Sequence, residues 1–254
     1  MWRIVYNALL NLALPFFVVY SLVNKKIRKN FFERLFANLQ AEDLEDAIWI
    51  HAASIGESMI AENIIRYMKK HNVANRFLIT TNTYYTKELM AKKLEGNVPV
   101  YSLPFDLSYT VKHFISQSTF SALLIVETEI WPNLIWEAQK RKIPVIILNG
   151  RISDHTVKNY TRFSFFFRHV LSGIDCVLAQ SSEQMQRYIS IGMDPQRVIN
   201  TGNLKYYRDI EDEGDAEKDN IVTFGSIREK EVEIIIETIE KLKKDFADIL
   251  FFIA

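Results

Sequence analysis

Glutamates at turns are the first residues to weigh for chemistry, because a positioned carboxylate can take the proton of an attacking hydroxyl. Glu57 closes the segment Ser54-Ile55-Gly56-Glu57, a one-glycine turn at the start of a helical pattern. Gly56 lets the backbone approach a ligand, and a helix N-terminus stabilises a carboxylate. The same spacing is that of a capping box, with Ser54 as N-cap and Glu57 closing it, so both uses stay open. Glu127 and Glu129 lie two apart and point the same way in extended chain. A metal pair, an acid–base pair and carboxylates paired to cations such as Arg151 all fit that spacing. No further oxygen or nitrogen ligands stand nearby for a metal, which favours charge pairing or substrate contact, with Glu127 nearer the site. Lys205, in Gly202-Asn203-Leu204-Lys205, is placed either to meet a phosphate or to sit in solvent as a loop lysine. Gly225 and Ser226 lie between a strand and a helix, where backbone amides can hold a phosphate. No nucleophile elbow and no Cys/His or Ser/His/Asp arrangement stands out.

The elements that position these residues follow from hydrophobic pattern. Ala47–His51, Arg76–Thr81, Val98–Leu103, Ala122–Val126, Pro144–Leu148 and Asp175–Ala179 read as buried strands of a parallel sheet, with Val198–Thr201 as a short seventh. Helical patterns alternate with them near Glu57–His71, Thr86–Leu94, Tyr109–Gln117, Asn133–Arg141, Val157–Leu171 and Glu183–Ser190. Such alternation argues a doubly wound α/β, Rossmann-like domain, whose ligands bind beyond the carboxyl ends of the strands. Ser54, Gly56, Glu57, Thr81, Asp106, Glu127, Asn149 and Arg151 all fall at such ends. Trp131-Pro132-Asn133 reads as a helix start, Pro132 fixing its first turn.

Lysine plus arginine and aspartate plus glutamate number 31 each, so no net positive field points to nucleic acid. A single cysteine, Cys176, excludes an internal disulfide framework, and the five histidines show no zinc spacing. From Ile4 to Val23 the chain carries no charge for 20 residues, followed at once by Lys25, Lys26, Arg28 and Lys29. That combination points to a membrane helix with a basic flank, either spanning or lying in the interface. The expected organisation is an anchor over 1–24, a Rossmann-like domain over 25–205, an acidic linker over 206–220 and the opening βαβ of a second α/β domain over 221–254. The final run Ile249–Ile253 is wholly apolar. A parallel strand of that kind needs both faces covered, which leads to the expectation that the sequence belongs to a longer protein.

HAASIGE (51–57), TTNTYYT (80–86), LPFD (103–106), VETEIWPN (126–133), NGRIS (149–153) and GNLK (202–205) together resemble the 3-deoxy-D-manno-octulosonic acid (Kdo) transferases, in order and spacing. The apolar N-terminal helix with its basic flank is also similar to theirs. The resemblance implies a GT-B glycosyltransferase with an acceptor-binding N-terminal domain and a nucleotide-sugar-binding C-terminal one. CMP-Kdo would be the donor and a lipid A precursor, lipid IVA, the acceptor, at the cytoplasmic face of the inner membrane. It places the catalytic base on Glu57 and substrate contacts on Ser54, Gly56, Thr81, Glu127, Arg151 and Lys205, the last two facing anionic groups. Gly225 and Ser226 would meet the donor phosphate, and no metal or other cofactor is expected. The chain departs from the family pattern in Ser226–Glu231, which lacks a histidine and a glycine, and in Tyr206-Tyr207, where an acidic residue is usual. A non-catalytic acceptor-binding module and a GT-B enzyme using another nucleotide-sugar are the alternatives.

Overall fold

A computed structural model describes residues 2–39, 44–206, 220–225, 227–246 and 248–253. Contacts divide the chain into two units, Met1–Arg208 and Asp209–Ala254. The first unit opens with helices α1 (Trp2–Val23) and α2 (Lys25–Leu35). Strands and helices then alternate: β1 (Ala47–His51), α3 (Ile55–Lys70), β2 (Phe77–Thr81), α4 (Tyr84–Lys93), β3 (Val100–Ser102), α5 (Ser108–Ile115) and β4 (Phe120–Val126). They continue as α6 (Pro132–Lys140), β5 (Val145–Gly150), α7 (Asp154–Arg162), α8 (Ser164–Leu171), β6 (Cys176–Ala179), α9 (Ser182–Ser190) and β7 (Val198–Asn200).

The seven strands are parallel in the order β3-β2-β1-β4-β5-β6-β7, the Rossmann-like arrangement that the alternation implied. Each face carries its own core, because alternate strand residues point to opposite sides. Ala47 and Trp49 join Phe114, Leu134, Trp136, Val170 and Tyr188 on one face. Ile50 joins Ile60 and Ile65 of α3 and Met90 of α4 on the other. Gly150 ends β5 where the second layer comes closest: a Cβ there would lie 2.9 Å from Val177 Cγ1 and 3.0 Å from Tyr188 Cε2.

The helix expected over Val157–Leu171 is two helices, starting earlier and breaking at Phe163, which leaves the helical region at φ −110° and ψ 35°. Ser153 caps α7, and the amides of Phe166 and Phe167 turn back to the Phe163 carbonyl to start α8. The apolar pattern runs on across the break, so periodicity alone does not show it. The break brings Phe165 to 4.5 Å from the Trp2 ring and Phe166 to 5.6 Å from Tyr6.

Helix α1 is long and apolar enough to cross a membrane, yet almost none of it is buried. Its inner face is tied to the first unit at both ends. Arg3 pairs with Glu137, Tyr6 donates to Asp106 at 2.9 Å, and Asn7 and Asn133 exchange two bonds of 3.0 Å. Towards its other end Phe17 packs on Phe31 and Phe105, and Ser21 is buried. Ile4, Leu9, Leu12, Phe16, Val19 and Val23 remain exposed.

In the second unit β8 (Ile221–Phe224) pairs in parallel with β9 (Leu250–Ile253), joined through α10 (Val232–Asp245). Leu250, Phe252 and Ile253 are exposed. Ser226 and most of the acidic stretch, residues 207–219, lie outside the described residues.

Gly150→Ala should destabilise the first unit by about 1–3 kcal/mol through overpacking. Chemical denaturation of the variant beside the parent chain checks this, and an unchanged midpoint would contradict the packing described.

Candidate active site

The order of the strands reverses between β1 and β4, the point at which open α/β sheets place their ligand crevice, beyond the strands' carboxyl ends. Both loops bordering it carry glutamates. After β1 the chain turns at Ser54 and enters α3. Ser54 caps the helix through its Oγ, which accepts from the Glu57 amide at 3.3 Å. Glu57 answers with both oxygens: Oε2 accepts from the Ala53 amide at 2.7 Å and Oε1 from the Ser54 hydroxyl at 2.8 Å. The Ser54 cap is therefore real, but Glu57 reaches past the Ser54 amide to that of Ala53, a variant of the capping box that fixes the carboxylate at the strand end rather than excluding it from chemistry. The residue is half-buried, while Ser54 and Gly56 are exposed and open space lies before the Gly56 Cα. Burial raises the Glu57 pKa, the Ser54 and Ala53 bonds oppose the rise, and the negative charges of Glu127 and Glu129 add to it.

The extended reading of Glu127 to Glu129 does not hold. Glu127 adopts a left-handed backbone, φ 63°, which is uncommon outside glycine. The two side chains consequently serve different partners. Glu127 pairs with Lys205 at 2.7 Å, not with Arg151, which is exposed and has no ion pair among the described residues. Glu129 accepts from Asn82 Nδ2 at 3.0 Å and Trp131 Nε1 at 2.9 Å, and lies 3.8 Å from His51 Nε2. Burial works against ionising Glu129, but the His51 ring, Asn82 and Trp131 outweigh it and lower its pKa.

The segment carrying Lys205 is held from β5. Asn149, also left-handed at φ 53°, accepts from the Leu204 amide at 3.0 Å. Thr81, expected at the site, is fully buried, and its hydroxyl turns to the Thr83 carbonyl at 3.4 Å. It closes the loop after β2 and presents no group to a ligand; Asn82, next to it, faces Glu129. Asp106 likewise supports the scaffold: it accepts from the Asn133 and Leu134 amides, capping α6, and from Tyr6 of α1. Burial pushes its pKa up to about 6, against the pull of those three bonds. Gly225 follows β8 in the second unit, with open space before it.

Buried polar groups without a hydrogen-bond partner are rare in folded proteins and call for a reason. Among the described residues there are seven side-chain atoms of this kind, and six lie at strand carboxyl ends, on His51, Asn82, Ser102, Glu127, Thr128 and Asn149; the Glu127 oxygen is met by the Lys205 ion pair at 2.7 Å, which leaves five without a partner there. Polar capacity is thus concentrated where a ligand would lie. No group of three or more His, Cys, Asp or Glu side chains that could hold a metal occurs among the described residues.

Residues 29–208 match the family described as 3-Deoxy-D-manno-octulosonic-acid transferase (kdotransferase). The chain belongs to this family. Among curated relatives, a bifunctional glycosyltransferase/methyltransferase of Fusobacterium nucleatum is 28% identical over 94% of this chain and 39% of its own length. A 3-deoxy-D-manno-octulosonic acid transferase of Rickettsia bellii is 28% identical over 89% of this chain and 56% of its own. The chain thus spans roughly half the length of the relatives it matches. The fold is also that of UDP-GlcNAc 2-epimerase from Methanocaldococcus jannaschii, at a TM-score of 0.51 and 12% identity, covering 82% of this chain and 65% of the epimerase. In this Kdo transferase family member the structure brings the expected Glu57, Glu127 and Lys205 to one sheet edge, and Asn82 and His51, which the sequence reading did not single out, meet Glu129 there. Their signal was the pairing of His51 with Thr80 across β1 and β2, which only the strand register reveals.

Glu129→Gln removes a negative charge that raises the Glu57 pKa, so the Glu57 titration midpoint should fall. Carbon NMR of the carboxyl groups measures it; a rise or no change would contradict the electrostatics described.

Proposed function

We propose that this chain forms the acceptor-side part of an enzyme that moves Kdo from CMP-Kdo to the lipid A precursor lipid IVA. Glu57 is the general base. One observation carries the reading: Glu57 is oriented by Ser54 and the Ala53 amide at the strand-order reversal, and its pKa is raised. A raised pKa makes the carboxylate a stronger base, and the cap sets its direction without a search.

In the reaction, an acceptor hydroxyl oxygen bonds to the anomeric carbon of Kdo as the bond from that carbon to the CMP phosphate oxygen breaks. The hydroxyl proton passes to Glu57, and the electron pair leaves with CMP as a phosphate monoester. That leaving group is already stable as an anion, so amide donors and a cation can stabilise it. Gly225 and Ser226 are assigned to this role, on the strength of the strand-to-helix position of Gly225. Ser54 and Gly56 line the acceptor side, and Arg151, exposed and without an ion pair among the described residues, offers a cation to its phosphates. Lys205 differs from a free cation, because Glu127 already occupies it. An anionic group reaching Lys205 would exchange with Glu127 rather than simply bind.

The acceptor is a lipid, which suits attachment at the cytoplasmic face of the inner membrane. We assign α1 an in-plane position there. It is about 33 Å long at 1.5 Å per residue, and contacts near both ends hold it along the first unit. A spanning orientation would break those contacts. The exposed apolar face can enter the bilayer interface, while exposed Arg28 and Lys29 meet anionic headgroups.

Two outcomes are expected. Glu57→Gln should lower Kdo transfer to lipid IVA by about 10²–10⁴-fold, the contribution of a general base. The assay is turnover of CMP-Kdo by the longest form that the coding sequence specifies, and undiminished turnover would remove Glu57 from the mechanism. In a Cys176→Ser background, Trp2→Cys in vesicle-bound protein should react with an impermeant thiol reagent added on the side of the folded units. Labelling only from the opposite side would show a spanning helix.

A further inference from the structure

Beneath the site lies a chain of buried side chains that the reaction does not touch. Trp49, Thr80 and His51 are all fully buried. Trp49 Nε1 donates to Thr80 Oγ1 at 2.8 Å. His51 Nδ1 lies 3.1 Å from the same Oγ1 and 3.0 Å from the Thr80 carbonyl, and His51 Nε2 faces Glu129 Oε2 at 3.8 Å.

Hydrogen-bond accounting gives this chain a direction. An indole nitrogen only donates, so Thr80 Oγ1 is an acceptor towards Trp49 and its own proton must go elsewhere. Among the described residues the other partner recorded for that oxygen is His51 Nδ1. If Nδ1 accepts, the ring carries its proton on Nε2, facing the Glu129 carboxylate. The opposite tautomer would donate from Nδ1 to the Thr80 carbonyl, which already accepts from the Ala52 amide at 2.9 Å. It would leave the Thr80 proton without an acceptor and aim a lone pair at a carboxylate. A doubly protonated ring would suit Glu129 but would also strand the Thr80 proton, and would place a cation where no water reaches.

We propose that Trp49, Thr80 and His51 form a hydrogen-bond relay of fixed direction, which ends on a neutral His51 whose Nε2 proton points at Glu129 from 3.8 Å and acts on it electrostatically. Glu129 is hydrogen-bonded by Asn82 and Trp131 and faces the Nε2 proton of His51 at 3.8 Å, a separation too long for a hydrogen bond but close enough for electrostatic attraction, as a negative charge near Glu57. His51 is a positioning residue, acting through Glu129 on the base. This last role rests on the transfer reaction proposed above, whereas the relay does not.

Long-range proton–nitrogen NMR of histidine-labelled protein in detergent micelles distinguishes the three ring states directly. His51→Gln identifies the signal among the five histidines; if that variant does not fold, correlation from the His51 Cβ protons does so. The relay requires the Nε2–H neutral pattern in the parent chain, its retention in Thr80→Ser, and its loss in the near-isosteric Thr80→Val. An Nδ1–H or imidazolium pattern in the parent overturns the proposal, as does an Nε2–H pattern that survives Thr80→Val unchanged. For the positioning role, Thr80→Val should lower kcat for Kdo transfer several-fold at unchanged KM, with Thr80→Ser restoring it. If the relay is seen but Thr80→Val leaves kcat unaltered, the positioning role falls while the relay stands. If the parent transfers no Kdo at all, the reaction assignment fails instead.

Discussion

The pairing of β1 with β4 is the constraint from which the rest follows. In the order β3-β2-β1-β4-β5-β6-β7 the chain builds one half of the sheet outward from β1, then returns across it to build the other half from β4. Helices leaving β1 and β4 go to opposite faces, so the two connections diverge beyond those strands. The register sets Ile50 beside Leu124 and His51 beside Ile125. The first polar residues past each strand, the Ser54–Glu57 turn and the Glu127–Glu129 run, therefore border one crevice. Largely apolar strands with a core on each face make that register costly to shift, since a one-residue slip would turn every side chain to the wrong side.

What the sheet holds firmly, the loops hold under tension. Glu127 and Asn149 both take left-handed backbones at the ends of adjacent strands, a conformation costing a non-glycine residue on the order of 1 kcal/mol. Each is compensated from the same short segment: Lys205 pairs with Glu127, and the Leu204 amide bonds to Asn149. A stretch near the end of the first unit is thus what secures the ends of two central strands. The polar groups left without hydrogen bonds gather at the same edge. Stability given up in one place, at strand ends facing solvent, is the usual mark of a site rather than of a defect.

Much of this was legible in the amino-acid order, for identifiable reasons. Strand β1 has the bounds its pattern predicts, Ala47–His51, because a central parallel strand is buried on both faces and so nearly continuously apolar up to the polar His51 at its end. The edge strand read as Val98–Leu103 is only Val100–Ser102, since it has a neighbour on one side alone. Glu57 was legible as a cap and as a base at once, and its geometry satisfies the cap while leaving it at the crevice. The direction of Glu127 was not legible: spacing assumes extended chain, and a left-handed residue breaks that assumption. Nor could pattern show that Asn7, which weakens α1 as a membrane span, reaches Asn133 126 residues away. Contacts of that kind are set by the fold as a whole and leave no local trace.

The way α1 is fastened has a practical consequence. Its outer face is apolar, but its first turns are joined to the globular unit by an ion pair, a phenol–carboxylate bond and a reciprocal amide pair, several of them shielded from water. Detergents compete with apolar contacts far better than with buried hydrogen bonds. With α1 in the bilayer interface as proposed, solubilisation should exchange lipid for detergent on the outer face while leaving the helix seated. The first unit would then leave the bilayer with α1 still fastened to it.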